Sequence, residues 1–420
     1  MHETVEVNGV TYAWPARPVV VVCIDGCDPE YIQRGIEDGI LPNIRQFQEM
    51  GFSTIANCVL PSFTNPNNLS IATGAPPRVH GISGNFFIDP QTGEEVMMND
   101  PRFLRAGTLF AGFAGQGARV AVITAKDKLR TLLGHGLAGA NAVCFSSEKA
   151  DQCSRKENGI DDVLQFVDRP LPQVYSADLS LFVLESGIRL LQQERFDLMY
   201  LSLTDYIQHK YPPGTPESND FYRRIDDCFG RIAELDVVLA LVADHGMSDK
   251  SQADGSPRVI YLQEVLDQQF GKGGTRVTLP ITDPYVVHHG SLGGFVRVYC
   301  TGKVSARSVI DFVKELPGID EALDRDTACR RFQLPADREG DVVVISDGPT
   351  AIGVNHDRHD LSILGGFRLR SHGGIAEQPI PFILSTPLNE TYVARAAAAR
   401  PYNYEIYDYA LNGTKGDGGR

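Results

Sequence analysis

The sequence predicts an α/β protein with a mostly parallel central sheet, helices on both faces of that sheet, and a smaller α+β insertion. Continuous apolar runs flanked by turn residues are typical of strands that are buried on both faces. Stretches with helical spacing lie between these runs, which favours parallel strands joined by helices. A Gly- and Pro-rich region later in the chain contains a run that alternates with period two, which indicates a separate unit.

The elements follow in chain order. The core strands are predicted at Val19–Ile24, Val120–Ile123, Leu198–Leu203 and Val238–Ala243, with core helices at Ala177–Gln193 and Ser218–Ile232. In the Gly- and Pro-rich region, Phe295–Tyr299 predicts a half-exposed strand, Ala306–Leu316 a helix and Val342–Ile345 a buried strand. We therefore assign residues 1–255 and 367–420 to the core, and residues 256–366 to a cap insertion.

Composition limits the classes of partner. The 420 residues are 42% hydrophobic and carry a net charge of −14, which argues against nucleic acid or an anionic membrane as a partner. A small anionic substrate responds to local charge and is not excluded. The start of the sequence lacks the apolar run of a secretory signal, no long apolar stretch predicts a spanning helix, and the eight cysteines are scattered. These features predict a cytoplasmic protein with reduced thiols.

Acidic residues follow three of the predicted core strands. Asp25, Asp205 and Asp244 each stand directly after an apolar run or one residue beyond it. Because ligands of an open parallel sheet bind outside the carboxyl ends of the strands, we expect these acids to converge. His209 stands four residues after Asp205, and His245 follows Asp244 directly. Carboxylate oxygen with imidazole nitrogen is a ligand set for zinc or a similar divalent metal, and the pattern suits two metals sharing one site.

Thr64 is the candidate nucleophile. It stands where a loop enters a predicted helix, with Pro66 in the first turn. A hydroxyl at that position is commonly an N-cap, and the local sequence alone favours that interpretation. The start of a helix also attracts phosphoryl groups, and a threonine oxygen bound to zinc could attack phosphorus. The local sequence therefore leaves open whether Thr64 is a helix cap or a nucleophile.

Together with Ser371-His372-Gly-Gly, these residues resemble the metal-site series of the alkaline phosphatase superfamily in their order, spacing and position after strands. The segment from Thr64, followed by Thr73-Gly74 and His80-Gly81, is most similar to the nucleotide pyrophosphatase/phosphodiesterase branch. Within that branch it is most similar to the enzymes that hydrolyse phosphonoacetate. The resemblance covers about residues 19–375 and implies an alkaline-phosphatase-like core.

The resemblance also implies a ligand set for two zinc ions. One ion would be held by Asp205, His209 and His372, and the other by Asp25, Asp244, His245 and the oxygen of Thr64. Spacing alone does not select His372, because His288, His289, His356 and His359 are equally available. We interpret the cluster from His356 to Asp360 as a surface or supporting feature.

A small organophosphonate is the substrate that the resemblance implies. Thr64 would attack phosphorus, and the carbon–phosphorus bond of phosphonoacetate would break to give acetate and phosphate through a phosphothreonine intermediate. Two zinc ions, three aspartates and a Thr64 alkoxide sum to about zero charge, so the substrate carboxylate needs other cations. Lys126 and Lys128 would supply them and Asn85 would bind a phosphoryl oxygen, although a Lys-x-Lys after a strand is more often a solvated loop. A homodimer is a further expectation.

Other functions remain as alternatives. A phosphodiesterase or nucleotide pyrophosphatase on the same scaffold would need an aromatic slot for a base, for which Tyr285, Phe295 and Tyr299 are available. A sulfatase is disfavoured because Thr64-Asn-Pro-Asn lacks the Cys-x-Pro-x-Arg pattern, and a phosphoglycerate mutase usually presents serine. A non-catalytic metal-binding protein is the remaining possibility.

Overall fold

The computed structural model describes residues 3–137, 141–282 and 290–414. In these ranges the strands are β1 (Thr4–Val7), β2 (Val10–Ala13), β3 (Val19–Cys23), β4 (Phe52–Asn57), β5 (Phe86–Ile88), β6 (Glu95–Met97), β7 (Val120–Thr124), β8 (Ala142–Ser146), β9 (Leu198–Ser202), β10 (Val238–Val242), β11 (Ser248–Asp249), β12 (Val259–Tyr261), β13 (Thr275–Thr278), β14 (Phe295–Cys300), β15 (Ile319–Asp324), β16 (Val342–Ser346), β17 (Ala351–Gly353), β18 (Arg370–Ser371) and β19 (Pro379–Leu384).

The helices of the same ranges, short 3₁₀ and π turns aside, are α1 (Pro29–Glu37), α2 (Pro42–Met50), α3 (Thr64–Thr73), α4 (Pro77–His80), α5 (Leu109–Gly115), α6 (Asp127–Leu133), α7 (Arg155–Asn158), α8 (Val163–Val167), α9 (Asp178–Gln193), α10 (Tyr206–Lys210), α11 (Pro216–Ala233), α12 (Leu262–Phe270), α13 (Ala306–Val313), α14 (Arg325–Phe332), α15 (Glu390–Ala398) and α16 (Ile406–Asp408).

The central sheet has seven strands in the order β4-β19-β10-β3-β9-β7-β8. The five strands from β10 to β8 are mutually parallel, whereas β19 is antiparallel to both of its neighbours. Every residue of β3, β7, β9 and β10 is buried, as expected for strands that are covered on both faces. The prediction of a mostly parallel central sheet is therefore confirmed.

Two groups of helices cover this sheet. Helices α1, α2, α9 and α11 pack against one another, and α3 packs against α4, α5 and α6. Both groups contact the same strand, β7, one through α9 and the other through α5 and α6, so they form layers on its two faces. The main hydrophobic core lies between these layers and the sheet.

A second sheet has its own core. It contains four strands in the order β13-β14-β16-β15, with α13 and α14 packed against β15 and β16. Its apolar cluster is separate from that of the central sheet, but it includes Leu60 and Phe63 from the loop before α3. The two sheets therefore meet at the segment that leads into Thr64. The division of the chain into 1–255 with 367–420 and an insertion of 256–366 stays a prediction.

One sequence expectation about the second sheet is wrong. The run Phe295–Tyr299 was expected to be half exposed, but Phe295, Val296, Arg297 and Val298 are all buried in β14. The reason is that the charged member of the run, Arg297, is neutralised by a buried partner, Glu339.

Two further features can be stated for the described residues. All eight cysteines have free thiols. None of the helices combines the length and the apolar character that a membrane crossing requires.

Candidate active site

Three buried aspartates lie at one edge of the central sheet. Asp25, Asp205 and Asp244 follow β3, β9 and β10, which are adjacent in the order β10-β3-β9. All three carboxylates are almost completely buried. The convergence expected from the sequence arises because parallel neighbours bring their carboxyl ends to the same edge.

Three histidines present the same ring nitrogen to these acids. His245 follows Asp244, His209 lies on α10, and His372 follows β18. In each ring Nδ1 lies close to a backbone carbonyl oxygen, which can only accept a hydrogen bond; the acceptors are Gly246 O at 2.9 Å, Arg370 O at 2.7 Å and Ser62 O at 2.7 Å. Nδ1 therefore carries the proton, and Nε2 of the neutral ring is left as a ligand atom, which is the usual arrangement of metal-binding histidines.

The acids and histidines form two overlapping clusters. Asp25, Asp244 and His245 bring ligand atoms within 4.8 Å of one another, and so do Asp205, His245 and His372. His209 Nε2 lies 2.9 Å from Asp205 Oδ2. The second cluster thus contains His245 where the sequence assignment has His209, and His245 lies between the two groups, its ring stacked on that of His372 at 3.6 Å.

The donor set fits divalent metals. Carboxylate oxygens and unprotonated imidazole nitrogens at this spacing are typical of zinc. Among the described residues, Asp25 Oδ1 is buried without a hydrogen-bond donor and lies 3.3 Å from His245 Nε2. A buried carboxylate oxygen in that situation normally has a cation beside it. The residues present therefore fit a metal centre.

Burial shifts the pKa values of these groups strongly. Desolvation, followed by the charges of Asp205 and Asp244, raises the pKa of Asp25 well above its ordinary value. Desolvation and the charge of Asp205 raise the pKa of Asp244 to about 7. Burial and the neighbouring His245 hold the pKa of His372 well below the usual range. Without a cation Asp25 and Asp244 hold their protons more strongly than ordinary aspartates, and a bound divalent cation would compete with those protons.

Thr64 is the first residue of α3 and not its N-cap, which is Phe63. The N-cap interpretation of Thr64 is therefore wrong. Its Oγ1 lies 3.4 Å from His245 Nε2, beside the cluster that contains Asp25 and Asp244. The structure thus places the candidate nucleophile at the edge of a candidate metal site.

Asn68 links the start of α3 to the acids, and the sequence analysis missed it. Its Nδ2 donates to Thr64 O at 3.0 Å and to Asp244 Oδ2 at 3.1 Å. Its Oδ1 accepts from the hydroxyls of Tyr200 at 2.7 Å and Ser202 at 2.9 Å, both on β9. The run of asparagines in the first turns of α3 was the signal available, but the sequence does not show which partners each one meets.

Glu377 is a second link that the sequence analysis missed. It is fully buried, and its Oε1 accepts from Lys250 Nζ at 2.8 Å. Its Oε2 accepts from Gly374 N at 2.9 Å, and its carbonyl oxygen accepts from Gly246 N at 2.7 Å. One residue therefore holds together the two turns that carry His245 and His372.

A pocket of about 440 Å³ opens in front of the clusters. Four of its lining residues, Asp25, Thr64, Asp205 and His372, are here called the strand-end wall. Four others, Lys126, Lys128, Lys149 and Asn85, are here called the lysine wall. Apolar lining residues include Met97, Leu129, Val174 and Tyr175.

The lysine wall contains three of the ten lysines of the chain. Lys126 stands at the N-cap of α6, and its Nζ lies 3.6 Å from Asp205 Oδ1. Lys149, which the sequence analysis did not select, pairs with Asp127 at 3.2 Å. Lys126 and Lys128 are therefore only partly exposed and line the same pocket as Asp25, Asp205 and His372.

Asn85 reaches the pocket from the loop that precedes β5. Its backbone nitrogen donates to Pro280 O at 2.7 Å, and its Nδ2 donates to Ile281 O at 3.0 Å. Since an amide nitrogen carries two hydrogens, one remains for a ligand in the pocket.

Several residues considered from the sequence lie elsewhere. His356 is exposed and pairs with Glu264, whereas His359 is buried and bonds to Val354 N and Gly290 O. Neither belongs to a metal-type cluster of the described residues.

The described aromatic residues that were considered for a base-binding slot lie away from the pocket. Phe295 is fully buried, and neither it nor Tyr299 lines the pocket. Tyr285, His288 and His289 lie outside the described residues.

The sequence pattern of the type I phosphodiesterase / nucleotide pyrophosphatase family matches residues 19–359. Phosphonoacetate hydrolase from Sinorhizobium meliloti, solved in complex with phosphonoformate, is 50% identical to this chain; the match covers 98% of this chain and 99% of that one, with a TM-score of 0.94. The same enzyme in complex with phosphonoacetate is 49% identical, with coverage of 98% and 99% and a TM-score of 0.92.

A more distant relative is an uncharacterized pyrophosphatase/phosphodiesterase of Schizosaccharomyces pombe, which is 23% identical over 292 residues. That match covers 64% of this chain and 53% of the relative, so it spans about half of the relative's length. The close structural similarity to the bacterial enzyme confirms the predicted alkaline-phosphatase-like α/β fold.

Proposed function

The chain belongs to the type I phosphodiesterase / nucleotide pyrophosphatase family, and from this premise we propose that it is a di-zinc hydrolase that converts phosphonoacetate to acetate and phosphate. The observation that carries the proposal is that one pocket is lined both by members of the metal-type clusters and Thr64 and by Lys126, Lys128 and Asn85. The structural relative that binds phosphonoacetate supports the choice of substrate.

We keep the two ligand groups that the family resemblance implies. Asp205, His209 and His372 would hold one zinc ion, and Asp25, Asp244, His245 and Thr64 Oγ1 would hold the other. The bound ions would lower the pKa of coordinated hydroxyl groups and offset negative charge that develops on phosphoryl oxygens. The backbone acceptors at Nδ1 of each histidine would keep Nε2 directed at the site.

Thr64 is the nucleophile in this proposal. Its position at the first residue of α3 directs free backbone N–H groups of the helix toward a bound phosphoryl group. The Thr64 oxygen forms a bond to phosphorus as the hydroxyl loses its proton, the carbon–phosphorus bond breaks, and its electron pair passes to the methylene carbon, which takes up a proton to give acetate. Water then cleaves the phosphothreonine, which restores the Thr64 hydroxyl and releases phosphate.

The lysine wall would stabilise the negative charge of the leaving group. A methylene carbanion is a poor leaving group unless the adjacent carboxylate takes up its charge as an enediolate. Lys126 and Lys128 would neutralise that growing negative charge, and Asn85 would donate to a phosphoryl oxygen. This arrangement explains why a carboxylate would be required on the substrate.

Phosphate release from phosphonoacetate, measured beside cleavage of bis(4-nitrophenyl) phosphate, tests the proposal. Zinc-loaded protein should release phosphate from phosphonoacetate with the higher kcat/KM. A strong preference for the diester would replace the proposal with a phosphodiesterase activity.

Two related properties are also proposed. The eight free thiols support a cytoplasmic location, where such thiols stay reduced. A homodimer is proposed from the sequence alone, and sedimentation equilibrium would test it.

A further inference from the structure

Arg297 is the largest fully buried side chain among the described residues. It lies on β14 and pairs with Glu339 through two hydrogen bonds, from Nε at 2.6 Å and from Nη2 at 2.7 Å. Neither side chain has any solvent exposure. Removing both charges from water is costly, so an apolar pair of the same volume would fill this space at least as well. Packing alone therefore does not explain why a charged pair is buried here.

Arg297 also donates to the loop that leads into β5. Nη1 donates to Phe86 O at 2.7 Å, and Nη2 donates to Ser83 O at 2.7 Å and to Ser83 Oγ at 2.9 Å. These contacts lie on the two sides of Asn85. A planar guanidinium is suited to this role because its donors have fixed directions.

The rest of the Asn85 environment is equally constrained. Its backbone N–H and its Nδ2 are both bound to the Pro280–Ile281 segment, and its carbonyl oxygen accepts from Met98 N at 2.7 Å. The segment Pro280–Ile281 follows β13, the strand paired with β14. The second sheet therefore holds Asn85 directly through this segment and indirectly through Arg297.

We propose that Arg297, fixed by Glu339, is a positioning residue that sets the Asn85 amide against the phosphoryl group. The inference rests on the proposed function, because it assigns to Asn85 a contact with the substrate. It makes the second sheet part of the active-site machinery, since a small displacement of a donor is enough to reduce a rate substantially.

A double-mutant cycle tests this proposal. Arg297→Lys keeps the charge beside Glu339 but cannot span both Ser83 and Phe86, and should lower kcat/KM for phosphonoacetate about tenfold. In the Asn85→Ala background the same change should cost less than about twofold, because the residue through which Arg297 acts is already absent. Equal losses in both backgrounds, or no loss in the native background, would overturn the proposal.

Arg325→Lys is the matched control. Arg325 also belongs to the second sheet's unit and pairs with Asp341 at 2.6 Å, but its contacts do not reach the loop from Ser83 to Phe86. It should leave kcat/KM unchanged within about twofold. If Arg297→Lys does not fold, Ser83→Ala removes only the hydroxyl contact and should lose about threefold in the native background and nothing with Asn85→Ala.

Hydrogen exchange supplies a readout that does not depend on activity. The amides of Asn85 and Met98 should exchange faster in Arg297→Lys, or in Ser83→Ala if that variant replaces it, and should be unchanged in Arg325→Lys. If the native protein releases no phosphate from phosphonoacetate, the proposed function fails. Faster exchange in the variant would still support the positioning role of Arg297, whereas unchanged exchange would overturn that role.

Discussion

The two walls of the pocket are built by different means. On the strand-end wall, each aspartate follows its own strand in the middle of a parallel sheet, and every strand residue beneath it is buried. On the lysine wall, Lys126, Lys149 and Asn85 stand at helix ends and loops that are held by side-chain contacts from distant segments. The first wall is supported by the buried strands of the sheet. Residues of the second wall lie outside those strands, so they can differ between enzymes of different substrate specificity without altering the sheet.

Thr64→Ala should give the largest effect on the strand-end wall. Loss of the nucleophile is expected to lower kcat for phosphonoacetate by at least about 10³-fold. Metal content, measured by atomic emission, should stay close to that of the native protein because the aspartates and histidines remain. Thr64→Ser is the matched control and should retain measurable turnover. Native turnover in Thr64→Ala would show that another group attacks phosphorus.

Lys126→Ala and Lys128→Ala, on the lysine wall, should reduce activity on phosphonoacetate selectively. Each is expected to lower kcat/KM for phosphonoacetate by about 10²-fold, because the carboxylate loses a cation where charge develops. Cleavage of a nitrophenyl ester, whose leaving group needs no such cation, should change by less than about threefold. The exposed Lys156, replaced by alanine, should change neither rate. Equal losses on both substrates would contradict separate roles for the two walls.

Glu377→Gln should weaken the support behind the strand-end wall. The change leaves Lys250 buried without its charge partner and loosens the turns that carry His245 and His372. Metal affinity, measured by competition with a chromophoric chelator, should fall about tenfold. Glu264→Gln, at an exposed pair with His356, should leave the affinity unchanged. An unchanged affinity in Glu377→Gln would mean that the strand ends alone position the ligands.

The metal-free protein should lose stability as the pH rises from about 6.5 to 8. The pKa of Asp244 is raised to about 7 in the folded state, so the native protein binds more protons than the unfolded chain in this range. The loss from Asp244 is about 1 kcal/mol, and Asp25, whose pKa is also raised, acts in the same direction. His372, whose pKa is lowered, acts in the opposite direction and offsets about 0.4 kcal/mol of this loss, mainly at the lower end of the range. Thermal unfolding with a chelator should show the decline, and zinc-loaded protein should not; a metal-free protein that gains stability would contradict the site's electrostatics.

The contrast between the walls also explains what could be predicted from the sequence. Asp25, Asp205 and Asp244 were predictable because each follows an apolar run, and parallel strands bring such positions together. His372 required the family resemblance, since nothing local separates it from other histidines.

Lys149, Asn68, Glu377 and Arg297 were not selected from the sequence. Their importance depends on approaches between distant segments, as when Arg297 of β14 meets the loop around Asn85. The alternating run around Arg297 predicted only a half-exposed strand, and the pairing of Arg297 with Glu339 makes its burial possible. Tertiary contacts of this kind leave no signal in the local pattern.

The most direct test of the account is to measure bound metal and reaction products on one preparation incubated with phosphonoacetate. We expect two zinc ions per chain and equal amounts of acetate and phosphate, with both products lost after chelation and restored by added zinc. Two bound zinc ions with no phosphate released would leave the strand-end wall intact and contradict the proposed substrate.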